Sequence, residues 1–137
     1  MPRARVLLAE DNAMVAEQIR QVLEESHEVV GVVGTGEELE SAFEFLTPEV
    51  VVTDIMMPGE GGLVAVRHIL ERYPGTPVVL LSVIDSISMM RAGFLYGIHG
   101  YVVKEDAADE LNQAVDAALA GNEYISTAGR RALPTGK

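Results

Sequence analysis

Residues 50–62 read VVVTDIMMPGEGG, and this stretch decides the fold. A strand-like apolar run leads into an acidic residue, Asp54, and then into a turn that contains Pro58 and Gly59. The run is continuous rather than alternating, which is typical of a parallel strand buried on both faces. Turns favour aspartate, so Asp54 alone has a simple structural explanation. Whether its carboxylate has a chemical role depends on which residues stand at the ends of the other strands.

The composition of the 137-residue chain restricts the class of protein to which it can belong. A hydrophobic content of 48% suits one globular domain, and no apolar run is long enough to span a membrane. The net charge of −11 predicts that this chain does not itself contact nucleic acid or an anionic membrane. The absence of cysteine excludes disulfides and thiolate metal sites and fits a cytoplasmic location. His27, His68 and His99 show no metal-ligand spacing and are interpreted as ordinary structural or surface residues.

Five strand-like runs alternate along the chain with helical patterns. The runs are Arg5–Ala9, Glu28–Val33, Glu49–Thr53, Pro77–Leu81 and Tyr101–Val103. The fourth helix is predicted over residues 86–96. The residues that can cap or stop the helices are Asn12, Thr35, Pro74, Asp106 and Gly121.

This alternation predicts an α/β fold of the flavodoxin-like type. Strand–helix units with short loops form a doubly wound, five-stranded parallel sheet with five helices on its two faces, and the strand order 2-1-3-4-5 is expected. We expect residues 1–125 to form one domain. Residues 126–137 lose periodicity and become basic, so we expect a C-terminal tail or the start of a linker.

Polar residues follow four of the five strands. Glu10 and Asp11 follow the first strand, Asp54 the third, Ser82 the fourth and Lys104 the fifth. In an open α/β sheet, ligands bind beyond the carboxyl ends of the strands, so these side chains are expected to share one edge. Neighbouring strands lie about 4.8 Å apart, which brings the three acids together.

Clustered carboxylates need a cation. Two of them about 5 Å apart repel by roughly 3 kcal/mol at an effective dielectric constant near 20, and oxygen ligands suit Mg²⁺. Lys104 is two strands from Asp54, a distance that a lysine side chain can largely cover. A metal, a lysine, a hydroxyl at Ser82 and an acceptor carboxylate suffice for the phosphorylation of Asp54.

At roughly residues 4–121 the chain resembles the receiver domain of two-component response regulators. The resemblance rests on several motifs in the right order, which are LLAED, VVVTDIMMPGEGG, VVLLS and GYVVK. GYVVKE and AGNEYIS are similar to receivers of the NarL/LuxR type, which precede a helix-turn-helix DNA-binding domain.

The resemblance implies a phosphorylation-controlled switch rather than an enzyme with its own substrate. It implies that Asp54 accepts a phosphoryl group from a sensor histidine kinase, and that the backbone carbonyl of Met56 joins Glu10, Asp11 and Asp54 in holding Mg²⁺. Ser82 and Lys104 would contact the phosphoryl group, and Tyr101 would change rotamer when Ser82 moves. The readout would be a dimer or docking of an output domain or partner protein.

The sequence departs from the family pattern at several positions near the acceptor. Ser82 replaces the commoner threonine, Val83 replaces a small residue and is expected to narrow access, and Glu105 replaces a frequent proline. Met56 and Ile84 are apolar at positions that flank the path of an attacking water in the family. We therefore expect slow hydrolysis of the phosphorylated form.

Other functions remain as alternatives. A phosphatase with Asp54 as nucleophile would need an acid two residues later, where Met56 stands. A flavin-binding domain would need a hydroxyl-rich loop after the first strand instead of Glu10 and Asp11. A stand-alone or degenerate receiver that acts only as a protein-binding module is the remaining alternative.

Overall fold

The computed structural model of the protein describes residues 3–83 and 87–133, which form one six-stranded parallel sheet with helices on both faces. The strands are β1 (Arg5–Ala9), β2 (Glu28–Val33), β3 (Val50–Asp54), β4 (Val78–Ser82), β5 (Gly100–Val103) and β6 (Tyr124–Ile125). The helices are α1 (Ala13–Glu24), α2 (Gly36–Leu46), α3 (Gly61–Arg72), α4 (Ile87–Tyr96), α5 (Ala107–Leu119) and α6 (Thr127–Ala132).

The strand order is β2-β1-β3-β4-β5-β6, so the predicted order is confirmed and one strand is added at the edge. β1 and β3 are neighbours, and so are β3 and β4. The central strands β3, β4 and β5 are buried along their whole length, which explains their continuous apolar sequences. Their carboxyl ends consequently open at one edge of the sheet.

The core consists of two apolar layers, one on each face of the sheet. One layer packs the sheet against α2, α3 and α4, with Leu39, Val66 and Met90 among its buried members. The other packs it against α1 and α5, with Leu23 and Leu111 among its buried members. Within residues 3–83 and 87–133, the helices are too short or too polar to cross a membrane.

Most of the predicted helix boundaries are confirmed. The side chains of Asn12 and Thr35 accept hydrogen bonds from the backbone N–H groups of Val15 and Glu38, so both cap their helices. α5 is followed by Gly121 at a φ of 82°, a left-handed conformation that glycine adopts without strain. α3 ends at Arg72, before Pro74, and α4 begins at Ile87; the predicted start at residue 86 lies outside the described residues.

Asp106 precedes α5 as predicted, but its carboxylate does not cap that helix. It accepts a hydrogen bond of 2.8 Å from the backbone N–H of Ala128 instead, at the start of α6. The cap prediction was wrong because another helix takes the carboxylate, and neighbouring elements cannot be read from a local pattern.

The segment predicted as a C-terminal tail or linker begins at Ser126 and contains α6, and the strand β6, which was not predicted, lies just before it. Both elements pack against β5. The buried hydroxyl oxygen of Ser126 accepts a hydrogen bond of 3.0 Å from the backbone N–H of Val103, and the Ser126 N–H donates to the carbonyl of Tyr101. A strand of two residues is too short to show periodicity, and α6 carries few large apolar residues. The boundary between domain and tail at residue 125 stays a prediction.

Candidate functional site

Three carboxylates converge where β1 and β3 end. Glu10 follows β1, Asp11 begins the loop to α1, and Asp54 is the last residue of β3. One carboxylate oxygen from each lies within 4.8 Å of the others. We call these three residues the strand-end cluster. Glu10 and Asp54 are almost fully buried, whereas Asp11 is exposed, so the cluster opens to solvent on the Asp11 side.

Lys104 reaches the cluster from the end of β5. Its ammonium nitrogen lies 2.6 Å from Glu10 Oε1 and 2.9 Å from Asp54 Oδ2. Burial would lower the pKa of Lys104, but its hydrogen bonds to Glu10 and Asp54 outweigh burial and raise that pKa above the usual value. Lys104 is therefore a fixed positive charge beside the carboxylate of Asp54.

The remaining oxygens of the buried acids are held by backbone amides. The Asn12 N–H donates to Glu10 Oε2 at 3.1 Å, and the Met56 N–H donates to Asp54 Oδ1 at 3.3 Å. Burial raises the pKa of Glu10, although the hydrogen bond from Lys104 opposes this shift. One ammonium group facing three carboxylates leaves two negative charges without a counter-charge among the described side chains of this cluster.

This donor set fits Mg²⁺. All the available ligand atoms are oxygens, which Mg²⁺ prefers, and the missing charge equals that of one divalent ion. Met56 follows Ile55 beyond the end of β3, and its backbone N–H lies 3.3 Å from Asp54 Oδ1, so its backbone lies beside the cluster.

Two other predicted site residues lie on the strands that follow β3 in the sheet, Ser82 on β4 and Tyr101 on β5. Ser82 is the last residue of β4, where it is buried and pairs with Val103 of β5. Tyr101 in β5 is fully buried, and a Cβ added at Gly129 of α6 would lie 3.5 Å from its ring. Val83 is 66% exposed beside Ser82, and Ile84 lies outside the described residues.

Gly62 was not identified from the sequence, yet it fixes the position of α3 beside the cluster. A Cβ atom at Gly62 would lie 1.8 Å from the carbonyl oxygen of Asp54 and 2.9 Å from Thr53 Oγ1. Only glycine permits this approach. The paired glycines at positions 61 and 62, directly after the turn, were the signal that could have indicated it.

Sequence reasoning also missed a second cluster, which lies between α2 and α3. Glu40, Glu60 and His68 each bring one potential ligand atom within 4.8 Å of the others. We call these residues the helix cluster. His68 was interpreted as an ordinary residue because it is distant from the two acids in the sequence.

Comparison with known proteins shows that the chain is similar to one protein family. The family model of the response regulator receiver domain matches residues 6–116. The transcriptional regulatory protein DegU of Brevibacillus brevis is 32% identical over 126 residues, which are 90% of this chain and 53% of that protein. The response regulator GacA of Pseudomonas viridiflava is 35% identical over 124 residues, 89% of this chain and 58% of that protein. The chain thus spans little more than half the length of these relatives.

Solved structures agree with the fold throughout the chain. A two-component response regulator of the LuxR family from Aurantimonas sp. SI85-9A1 superposes with a TM-score of 0.90 at 30% identity, covering 95% of this chain and 94% of that one. The isolated receiver domain of RcsB from Salmonella enterica serovar Typhimurium, with the phosphomimetic BeF3⁻, gives a TM-score of 0.87 at 25% identity. It covers 97% of this chain and 100% of that one.

Proposed function

The chain belongs to the family of response regulator receiver domains, and on that premise we propose that Asp54 is its phosphoryl acceptor. The observation that supports this proposal best is the environment of Asp54. It is a buried carboxylate at a strand end that lies 2.9 Å from the Lys104 ammonium nitrogen and close to two further acids. The donor would be a phosphohistidine of a sensor histidine kinase, as the resemblance implies.

The transfer requires one bond to form and one to break. An Asp54 carboxylate oxygen attacks phosphorus, the new O–P bond forms, and the N–P bond to the donor imidazole breaks. The imidazole departs with the electron pair and takes a proton from solvent. Asp54 Oδ1 is held by the Met56 N–H and Oδ2 by Lys104, so the carboxylate is oriented before the donor arrives.

Lys104 neutralises charge on the phosphoryl group. Its ammonium nitrogen already lies 2.9 Å from Asp54 Oδ2, so it can contact an oxygen of a group attached there. Ser82 provides a hydroxyl at the neighbouring strand end. Glu10, Asp11, Asp54 and the Met56 carbonyl would hold Mg²⁺, which supplies positive charge against the phosphoryl oxygens.

The chain acts as a switch and has no diffusible substrate of its own. Movement of Ser82 toward the phosphoryl group would be coupled to Tyr101 and to the surface formed by α4, β5 and α5. The relatives are transcriptional regulators of which this chain spans only part, so an output domain or partner protein is the proposed recipient of the change. The lack of cysteine supports a cytoplasmic location.

Intact-mass spectrometry tests the acceptor. The parent protein, Asp54→Asn and the exposed-site control Asp109→Asn are incubated with Mg²⁺ and a small acyl-phosphate donor. We expect the parent and Asp109→Asn to gain one phosphoryl group and Asp54→Asn to gain none. A gain in Asp54→Asn would place the acceptor elsewhere, and no gain in a parent protein that binds Mg²⁺ would contradict phosphorylation from small donors.

A further inference from the structure

The helix cluster unites ligands from two helices that are packed together. Glu40 belongs to α2, His68 belongs to α3, and Glu60 immediately precedes α3. His68 Nδ1 lies 2.8 Å from Glu40 Oε2 and 3.9 Å from Glu60 Oε1. Two carboxylates and an imidazole are a ligand set that divalent transition metals use in proteins.

One carboxylate oxygen of Glu60 lacks a hydrogen-bond partner among the described residues. Its Oε2 atom is buried from solvent, and among residues 3–83 and 87–133 no donor reaches it. The neighbouring Glu40 carboxylate, together with burial, raises the pKa of Glu60 to about 7. Two adjacent carboxylates are stable only with a proton or a cation between them, so the structure offers a position that either can occupy.

The surroundings of the cluster are also negative. A cavity of about 460 Å³ opens beside it and is lined by Glu37 and Glu44 in addition to the cluster residues. The guanidinium group of Arg72 also lines this cavity, but it is paired with Glu44. The cavity has space for water molecules that would complete the coordination of an ion.

We propose that Glu40, Glu60 and His68 bind a divalent transition-metal ion of the Zn²⁺ class. Imidazole nitrogen favours such ions over Mg²⁺, which prefers oxygen ligands alone. The three side chains provide three ligands, and water from the cavity provides a fourth. This site is separate from the strand-end cluster and does not depend on phosphorylation of Asp54.

A bound ion would link α2 to the loop that leaves the acceptor. Glu60 ends the turn that begins after Asp54, and its backbone N–H lies 3.4 Å from Glu37 Oε1 on α2. A Cβ atom at Gly36 would lie 2.4 Å from Glu60 Cγ, which shows how closely α2 and this turn already pack. Metal binding would therefore restrain the segment that carries Met56.

Isothermal titration calorimetry with Zn²⁺ tests the proposal on the full chain without a polyhistidine tag. Saturating Mg²⁺ is present throughout, so that the strand-end cluster is occupied. We expect one Zn²⁺ per chain in the parent, and an affinity about tenfold or more weaker in both Glu60→Gln and His68→Asn. Glu71→Gln, an exposed change on the same helix, serves as the control and should bind like the parent.

Two further measurements distinguish binding at the helix cluster from binding at the strand-end cluster and from loss of the fold. Asp11→Asn should retain the parent's Zn²⁺ affinity, since it alters only the strand-end cluster. Circular dichroism of each variant without metal verifies that the fold is retained. Absence of Zn²⁺ binding by the parent, parent-like binding by Glu60→Gln, or loss of binding in Asp11→Asn would each overturn the proposal. Parent-like binding by Glu60→Gln together with loss in His68→Asn would show adventitious capture by a surface histidine.

Discussion

The protein carries two clusters of acidic residues, and the repulsion between neighbouring carboxylates is reduced differently in each. In the strand-end cluster, the buried carboxylates of Glu10 and Asp54 share the ammonium group of Lys104. In the helix cluster, Glu40 and Glu60 have no ammonium partner among the described residues and rely on His68 and on a proton. A permanent cation suits the first, because by our proposal the Asp54 carboxylate must remain charged to accept a phosphoryl group.

Because their charges are balanced differently, the two clusters are expected to respond to different ligands. Lys104 stays charged at all ordinary pH values, so its hydrogen bonds to Glu10 and Asp54 persist, and by our proposal a metal ion or a phosphoryl group changes the state of the strand-end cluster. Glu60 titrates near neutral pH, so the helix cluster responds to protons and, by our proposal, to transition metals. The turn at residues 55–60 connects the two clusters.

The broadest expected effect comes from Gly62→Ala, which should damage both clusters together. The added Cβ would collide with the Asp54 carbonyl oxygen, so α3 must move away from β3. We expect a loss of about 3 kcal/mol in the free energy of unfolding, measured by urea denaturation. Gly34→Ala is the matched control. Its Cβ would lie 3.5 Å from its nearest neighbour, and we expect a change below about 0.5 kcal/mol.

A stability loss confined to Gly62→Ala would show that the close approach of α3 supports the site. Near-parent stability of Gly62→Ala would show instead that α3 can shift without cost, and the turn would not be a rigid link between the two clusters.

Lys104→Met should show that the strand-end cluster depends on a permanent cation for stability more than the helix cluster does. It leaves the buried carboxylates of Glu10 and Asp54 without their partner, which we expect to cost about 3 kcal/mol of stability in the absence of Mg²⁺. His68→Asn removes the partner from a cluster that is partly exposed, so its cost in stability should be clearly smaller. Thermal and urea unfolding of both variants give the comparison.

The effect of Mg²⁺ makes this comparison sharper. In Lys104→Met, Mg²⁺ should recover part of the lost stability, because a divalent ion can replace the missing charge. In His68→Asn, Mg²⁺ should raise stability no more than in the parent. Equal losses in the two variants would contradict the assigned difference between the clusters.

The strand-end cluster could be predicted from the sequence because topology alone brings its members together. Each acid follows a strand whose apolar run is evident, and the order of strands in a doubly wound sheet makes β1 and β3 neighbours. Lys104 could be added because it ends a third such run. The predicted distances needed only the spacing between strands, which is nearly constant in all sheets.

The helix cluster could not be predicted in this way. The position of Glu40 relative to His68 depends on how α2 and α3 rotate and cross, which side-chain packing decides and a local pattern does not show. Glu60 belongs to a turn whose path depends on the close contacts of Gly36 and Gly62. β6 and α6 were missed for a related reason, since contacts such as that of Ser126 with Val103 are made only after folding.

Glu60→Gln should reveal the proton that the helix cluster holds. The pKa of Glu60 is about 7 in the folded protein and 4.5 in its ordinary range, so the folded state binds more protons between these values. The stability of the parent must therefore fall, relative to Glu60→Gln, as the pH rises through this window. We expect a change of about 1 kcal/mol between about pH 5 and about pH 8, because solvent screens a partly exposed group.

The groups that face Glu60 are retained in this variant. Glu40 has a lowered pKa and His68 a raised one, and the carboxylate of Glu37 contributes further repulsion. The comparison of parent and variant thus measures the proton on Glu60 together with the influence of Glu60 on the pKa values of Glu40 and His68, with urea denaturation at each pH as the measurement. A difference in stability that is independent of pH would show that Glu60 holds no proton near neutral pH.

Met56→Asn should have the smallest effect on stability and should act on the strand-end cluster alone. The Met56 side chain is 63% exposed, so its replacement should change the free energy of unfolding by less than about 0.5 kcal/mol. An asparagine amide can hydrogen-bond a water molecule beside the acyl phosphate, which a thioether cannot do well. We therefore expect phosphorylated Met56→Asn to hydrolyse several-fold faster than the parent, since one hydrogen bond stabilises by about 1 kcal/mol.

Loss of phosphate from the purified phosphorylated protein, followed by intact mass over time, measures this rate. Helix α3 provides the control, since Glu71→Gln leaves both the acceptor and Met56 unchanged and should hydrolyse at the parent's rate. An unchanged rate in Met56→Asn would mean that the exposed side chain does not limit access of water. The slow hydrolysis expected from the sequence would then have to depend on Ile84, the other apolar residue on which that expectation rests, or on the narrower access expected from Val83.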